Sequence, residues 1–227
     1  MQPIDPILKA AQVEAIVMKG IARSYDLDKF RFQKFYGGIV TGGARGCQLD
    51  CGPCWNAERN ANPSGGGAFL KPEEVVIRLE KLAGKKTDKA RISGCEPILG
   101  RVSAQHLAEV IGKSRLQFVI ETNGVAIGYD PEILDIFEGL DNYRIRVSLK
   151  ATNGLMWEKF TGTNVWGFVY QQRGIKALVE RHIMHSIAFM PRFVDYRQID
   201  YDNPYALEDE NMRFYPGTKA RLLERGL

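Results

Sequence analysis

The stretch "ARISGCEPILGRVSAQHLAEVIGKSRLQFVIETNG", residues 90 to 124, decides the fold. It opens on a short apolar run, "ARIS", that stops at Gly94-Cys95-Glu96-Pro97. "SAQHLAEVIGKS" then spaces its apolar residues as a helix does, with Ser103 placed to cap it. "LQFVIETNG" reads as a second, buried strand. A strand, a crossover helix and another strand predict two parallel neighbours in one sheet.

The alternation continues in both directions. Downstream, "DPEILDIFEGL" predicts a helix with Asp130 as its cap and Pro131 following, and "YRIRVSLKAT" a strand. "FVYQQRGIKALVERH" reads as a helix and "IMHSIAFM" as a strand that ends against Pro191. Upstream, "KPEEVVIRLEKLAG" is a helix with Pro72 in its first turn and Gly84 past its end. "NANPSGGGAF" is a loop, "FRFQKFYGGIVTGG" a strand running into a glycine-rich turn, and residues 4 to 22 an amphipathic helix.

Strands this apolar, joined by helices, predict a parallel sheet with crossovers. Five clear strands and one less defined are too few for an eight-stranded barrel. The expected fold is therefore α/β, a partial TIM-like (β/α)5-6 barrel of parallel strands, open on one side. A length of 227 residues suits one domain. Its expected parts are an N-terminal helical extension over 1–35, a barrel core over 36–190 and a C-terminal cap segment over 191–227.

The net charge of +4 is too small to point to nucleic acid, and the run from Lys85 to Lys89 reads as a solvated face or loop. Neither a secretory leader nor a run of apolar residues long enough for a membrane span is visible, so the expected setting is cytoplasmic. There, clustered cysteines bind metal or do redox work more often than they form disulfides.

Three of the four cysteines stand together in "GGARGCQLDCGPCWN" as Cys47, Cys51 and Cys54, spaced C-x3-C-x2-C. Three thiolates leave a structural zinc one ligand short, and Cys95 is the remaining candidate for a four-cysteine site. A four-iron cluster held by three thiolates keeps one iron open for a ligand, whereas a fully capped cluster is a plain electron carrier. The sequence leaves both readings open. His106 falls within a helix, and His182 and His185 are an odd number of residues apart, so they make a poor metal pair.

The triplet does not stand alone. Gly94-Cys95-Glu96-Pro97, Thr122-Asn123-Gly124 and Ser148 follow at successive strand ends, where such sheets place their chemistry. In these features the sequence resembles the radical S-adenosylmethionine superfamily over roughly residues 36 to 190. The resemblance implies an enzyme with a [4Fe–4S] cluster on Cys47, Cys51 and Cys54, and S-adenosylmethionine chelating the fourth iron. One electron, from a donor such as flavodoxin or ferredoxin, would cleave that cofactor to a 5′-deoxyadenosyl radical that takes hydrogen from a substrate. The turn Gly94, Cys95 and Glu96 would meet the methionine amino group through backbone carbonyls. Ser148 would meet ribose or carboxylate, Lys150 would offer a cation to the carboxylate, and Trp55 would pack near adenine because Pro53 precedes the third cysteine. Cys95 would be packed rather than ligating.

Within the superfamily the chain is most similar to single-cluster, minimal-barrel members, and specifically to glycyl-radical-enzyme activating enzymes. Cys54-Trp55-Asn56, Glu121-Thr122-Asn123-Gly124, Ser148-Leu149-Lys150 and "FTGT" (160–163) carry that similarity. In those enzymes two aspartates hold a monovalent cation; here the positions are Glu121 and Ser148. A protein or peptide substrate entering by the open side is the expectation. A small metabolite, such as a nucleoside or cofactor precursor, is the alternative, and a non-catalytic zinc or iron–sulfur protein is the alternative of another class.

Overall fold

The computed structural model describes residues 3–195, 197 and 207–227. In chain order the elements are α1 (Pro6–Val17), β1 (Met18–Lys19), β2 (Ala22–Tyr25), β3 (Arg31–Gln33), β4 (Ile39–Gly43), α2 (Ala57–Ala61), β5 (Ala68–Leu70), α3 (Pro72–Ala83) and β6 (Lys89–Ser93). They continue as α4 (Arg101–Lys113), β7 (Gln117–Thr122), α5 (Val125–Tyr129), β8 (Tyr143–Leu149), α6 (Gly154–Thr161), α7 (Trp166–Glu180), β9 (His185–Phe189), β10 (Leu207–Asp209) and α8 (Thr218–Glu224).

The main sheet has the order β10-β9-β8-β7-β6-β4-β3. Neighbours from β4 to β10 all pair parallel, and β3 closes one edge antiparallel to β4. The parallel α/β sheet expected from the sequence is present. Among the described residues β3 and β10 do not pair with each other, so both remain edges. A smaller antiparallel sheet, β1-β2-β5, joins the N-terminal part to the loop after the cysteines.

The two faces of the main sheet differ in chemistry. Val40, Ala90, Ile92, Phe118, Ile120, Ile145, Val147, Ile187 and Phe189 lie buried on one face. Against them pack Val75 and Leu79 of α3, Leu107 and Ile111 of α4, Ile127 of α5 and Ile175 and Leu178 of α7. Burying a side chain of this size contributes about 1.5–3 kcal/mol, so this layer holds the fold together. The opposite face carries Thr41, Arg91, Glu121, Arg144, Arg146, Ser148 and Ser186. Register places Thr41 beside Arg91, Arg146 between Glu121 and Ser186, and Ser148 beside Ala188.

"YRIRVSL" alternates strictly, and that period of two marks a sheet with one apolar and one polar face.

Several boundaries also differ from the sequence reading. The helix expected over 4–22 ends at Val17, and the chain turns into β1. "FRFQKFYGGIVTGG" is two antiparallel strands around a 3-10 turn over Phe35–Gly37, with Tyr36 at φ 54°. Residues Pro131–Phe137 form a 3-10 helix, and Asp130 pairs with Arg101 instead of capping it. Ser103 sits inside α4, where its hydroxyl accepts from the Leu99 and Gly100 amides. β10 was not expected; its three residues are too few to show a period. Tyr196, Tyr201 and Tyr205 of the cap segment lie outside the described residues. No helix among the described residues is long and apolar enough to cross a membrane.

Candidate active site

The cysteine loop leaves β4 at Gly43 and is gripped from several sides. Gly46 stands at φ 93°, and a Cβ there would come within 2.7 Å of Val13, so α1 packs against the loop's first turn. The Asp50 and Gly52 amides donate to the Thr161 and Phe160 carbonyls at the end of α6, both at 2.9 Å. Cys54 N donates to Cys51 O at 3.0 Å, a tight turn that follows from the two-residue spacing of these cysteines.

All three cysteines line one open cleft, at the C-terminal end of the parallel strands, that encloses about 890 Å³ of empty space, part of it solvent. Gly94, Cys95, Glu96, Glu121, Thr122, Asn123, Ser148, Lys150 and Trp55 line the same cleft. Every residue singled out in the sequence for cluster or cofactor thus reaches one cavity, although the residues come from turns far apart along the chain.

Their geometry assigns different tasks. The Glu96 carboxylate points inward, where it accepts from Thr122 Oγ1 at 2.6 Å, Asn123 N at 2.8 Å and Ile98 N at 3.2 Å. Burial pushes its pKa up to about 7 against these donors, which favour the charged form. Three donors converging on two oxygens make Glu96 and Thr122 a brace between two turns. Of the turn's carbonyls, Gly94 accepts from the Asn56 side chain, while Glu96 and Pro97 accept from Arg23. Among the described residues no donor meets the Cys95 carbonyl, so it is the one left for an amino group.

Asn123 carries an orphaned group. Its Oδ1 accepts from Val125 N at 3.0 Å and Gln48 Nε2 at 3.2 Å, which fixes the amide orientation. Its Nδ2 is buried at the cleft and has no partner. A buried donor without a partner costs about 1–3 kcal/mol, so this atom suits a ligand acceptor. Gln171, missed in the sequence, holds the neighbouring turns. It donates to the Asn123 carbonyl at 2.7 Å and the Ser148 carbonyl at 3.1 Å, and accepts from Lys150 N at 3.1 Å.

Glu121 is committed elsewhere. Its Oε1 accepts from Arg91 at 2.6 Å and from the Tyr36 hydroxyl at 2.5 Å. The positive charge beside this carboxylate is thus the Arg91 guanidinium. Arg146 also lines the cleft, held by Glu208 at 2.7 Å and Glu210 at 3.2 Å. The alternation in "YRIRVSL" and "KARIS" was the available sequence signal for Arg146 and Arg91.

Trp55 is exposed at the cleft's rim against Tyr215, not in the core. Cys95 packs against the main core and its thiol is pushed up to about 11 by burial, as a packed, neutral residue should be. His106 is buried in α4, and His185 is buried on β9.

The donor set fits a cluster. Cys47, Cys51 and Cys54 bring three thiols, soft donors suited to iron–sulfur chemistry, from one short loop to one cleft. No three His, Cys, Asp or Glu side chains among the described residues converge at the spacing one metal ion requires.

A model of the Radical SAM superfamily matches residues 43–191, from the end of β4 to the residues just past β9. That span covers most of the chain and every element lining the cleft except the C-terminal segment, and the protein belongs to this superfamily. Membership brings a [4Fe–4S] cluster and S-adenosylmethionine as cofactors, and radical enzymology as the class of reaction. No curated protein matches the chain.

Proposed function

We propose that the protein is a radical S-adenosylmethionine enzyme in which Cys47, Cys51 and Cys54 hold the cluster's three closed irons. The observation that carries this reading is the meeting of the three cysteines with Gly94–Glu96, Thr122–Asn123 and Ser148–Lys150 around one cleft. In this proposal the Cys95 carbonyl receives the methionine amino group and Lys150 faces its carboxylate. Asn123 Nδ2 and the Ser148 hydroxyl orient the ribose or carboxylate, and Trp55 covers the adenine at the rim. When bound, the cofactors supply one-electron cleavage of the sulfonium and a carbon radical that takes hydrogen from substrate. The protein's part is to position them, by the Glu96–Thr122 brace and by Gln171, and to exclude water with Leu49, Phe160 and Met190.

The main sheet is read as a partial barrel with its polar face inward, the whole chain acting as one catalytic unit. The substrate would lie on that face, near Arg146 and Glu210. In this reading the strap after β10 crosses the open side, supported by Arg213 at 6.0 Å from the Phe35 ring on the β3 side and Tyr215 at 6.4 Å from Trp55. A spanned gap and charged walls favour a small polar substrate. A polypeptide, and with it the activase-like role, is the second reading, favoured by the exposed rings of Trp55 and Tyr215 at the cleft's rim. A flavodoxin- or ferredoxin-type donor and a reducing, cytoplasmic setting belong to the same proposal.

The test is anaerobic reconstitution followed by reduction with S-adenosylmethionine present. About four irons per chain and release of 5′-deoxyadenosine are expected. A colourless protein holding one zinc per chain refutes the reading. Deuterium carried into 5′-deoxyadenosine from labelled small molecules or from labelled peptides separates the two substrate classes.

A further inference from the structure

The segment that follows β10 ends in α8, and α8 lies directly on the cysteine loop. Arg221 Nε donates to the Gly52 carbonyl at 3.1 Å and Arg221 Nη2 to the Cys54 carbonyl at 2.8 Å. Thr218, buried at the first turn of α8, lies 3.4 Å from the same Nη2 and helps hold the guanidinium flat against the loop. One turn on, Arg225 donates to Asp50 at 2.6 Å and to the Phe160 carbonyl at 3.3 Å. Between the two arginines Leu222 is buried, and a Cβ on Gly52 would stand 3.1 Å from it. The loop residue beneath α8 is thus a glycine at the point of closest approach.

These contacts have a consequence for the loop's chemistry. The Gly52 carbonyl lies within the C-x2-C turn and the Cys54 carbonyl at its end, so holding both restrains the backbone that carries Cys51 and Cys54. The charge matters as well. Cluster potentials depend on net charge, hydrogen bonding and exposure to solvent, and α8 contributes a guanidinium within hydrogen-bond reach of a ligand residue's own backbone.

We propose that Arg221 is a positioning residue for the iron–sulfur cluster: it clamps the turn that carries Cys51 and Cys54, and its charge stabilises the reduced cluster. The proposal rests on the cluster-binding reading of that loop. α8 lies outside the family match at 43–191, so the clamp is a feature of this chain's own C-terminal segment. The Asp50, Gly52 and Cys54 carbonyl and amide contacts then form one grip, with α6 on one side and α8 on the other.

The full-length protein, reconstituted anaerobically, tests this with Arg221→Gln and Arg221→Lys. Three readouts apply: hydrogen–deuterium exchange over residues 50–56, the rate of iron loss to a chelator, and the cluster's midpoint potential without S-adenosylmethionine. Arg221→Gln is expected to speed exchange in the loop while leaving β7 and β8 unchanged. Iron loss should quicken roughly tenfold, the worth of one hydrogen bond from a charged donor, and the potential should become more negative. Arg221→Lys should restore the potential better than the loop exchange, because it keeps the charge but cannot reach two carbonyls in one plane. Unchanged exchange, iron loss and potential in Arg221→Gln overturn the proposal. Failure of the wild type to take up a cluster overturns the proposed function instead, and loop exchange in the two variants still decides the clamp.

Discussion

The Glu96 carboxylate accepts the Thr122 hydroxyl at 2.6 Å and so ties the turn after β6 to the turn after β7. The same carboxylate takes the Asn123 amide at 2.8 Å, which places the Asn123 side chain at the cleft. Glu96→Ala leaves these donors buried without a partner. The expected loss is about 2–3 kcal/mol of stability, a fall in melting temperature of roughly 5–10 °C for a chain of this size. Glu96→Gln, which keeps one acceptor oxygen, should lose less. Thermal unfolding of the three proteins at equal iron content checks this.

Cys47→Ala, Cys51→Ala and Cys54→Ala should each abolish the cluster, whereas Cys95→Ala should keep it. The first three thiols sit on the loop anchored by α6 and α8, while Cys95 packs against the main core. Iron analysis of the four variants decides between three ligands and four. Iron lost in Cys95→Ala would revive a four-cysteine site.

Much of this was legible in sequence, for stated physical reasons. Pro72 and Gly84 bound α3 closely because a missing amide and a positive φ are local requirements, and Gly84 stands at φ 49°. The lining of the cleft was legible because parallel strands end at one rim, so residues after β4, β6, β7 and β8 had to meet. What the sequence hid was set by contacts across the sheet. Glu121 looked free for a ligand, but the long Arg91 side chain reaches it from the neighbouring strand β6. Ser103 looked like a cap, but helix α4 starts two residues earlier and uses the same hydroxyl from within. β10 is short and held by pairing with β9, and neither propensity nor period can announce such a strand.

Asn123→Ala and Ser148→Ala should weaken S-adenosylmethionine binding without loss of iron. Asn123 Nδ2 is a buried donor waiting for an acceptor, and Ser148 lines the cleft at the end of β8. A hydrogen bond to a charged group contributes about 1.5–3 kcal/mol, or roughly tenfold or more in affinity. Isothermal titration against the wild type measures it. Equal affinity in both variants would mean that the cofactor lies elsewhere in the cleft.

Glu121→Ala should act chiefly on stability. It strips the carboxylate from Arg91, whose guanidinium stays buried with only Gln33 and Thr41 to bond. A loss of about 2–3 kcal/mol is expected, less than the full cost of breaking a buried ion pair because those two partners remain. Glu121→Ala with Arg91→Met should recover part of that loss, since no uncompensated charge is left. Urea unfolding of the single and double variants tests it; a double variant weaker than the sum of the two singles would contradict this account.

His106 gives a pH dependence whose sign follows from its setting. Its Nδ1 lies 2.7 Å from the Ile21 carbonyl, which can only accept, so the neutral ring carries its proton there. Nε2, 2.8 Å from the Tyr25 hydroxyl, is then the acceptor. Burial, with Arg23 acting in the same sense, lowers the pKa from 6.5 to about 4, although the Ile21 bond and Glu73 oppose it. The unfolded chain therefore binds a proton on this ring that the folded chain refuses between those two values. Stability from His106 is complete above about pH 6.5 and is lost as pH falls toward 4, by at most about 3 kcal/mol. Other groups titrate in the same window, so the measurement is a difference. Urea unfolding of wild type and His106→Asn from pH 4 to 7 should show the gap between them narrowing as pH falls. A gap that stays constant across this range would mean that the ring titrates alike in both states.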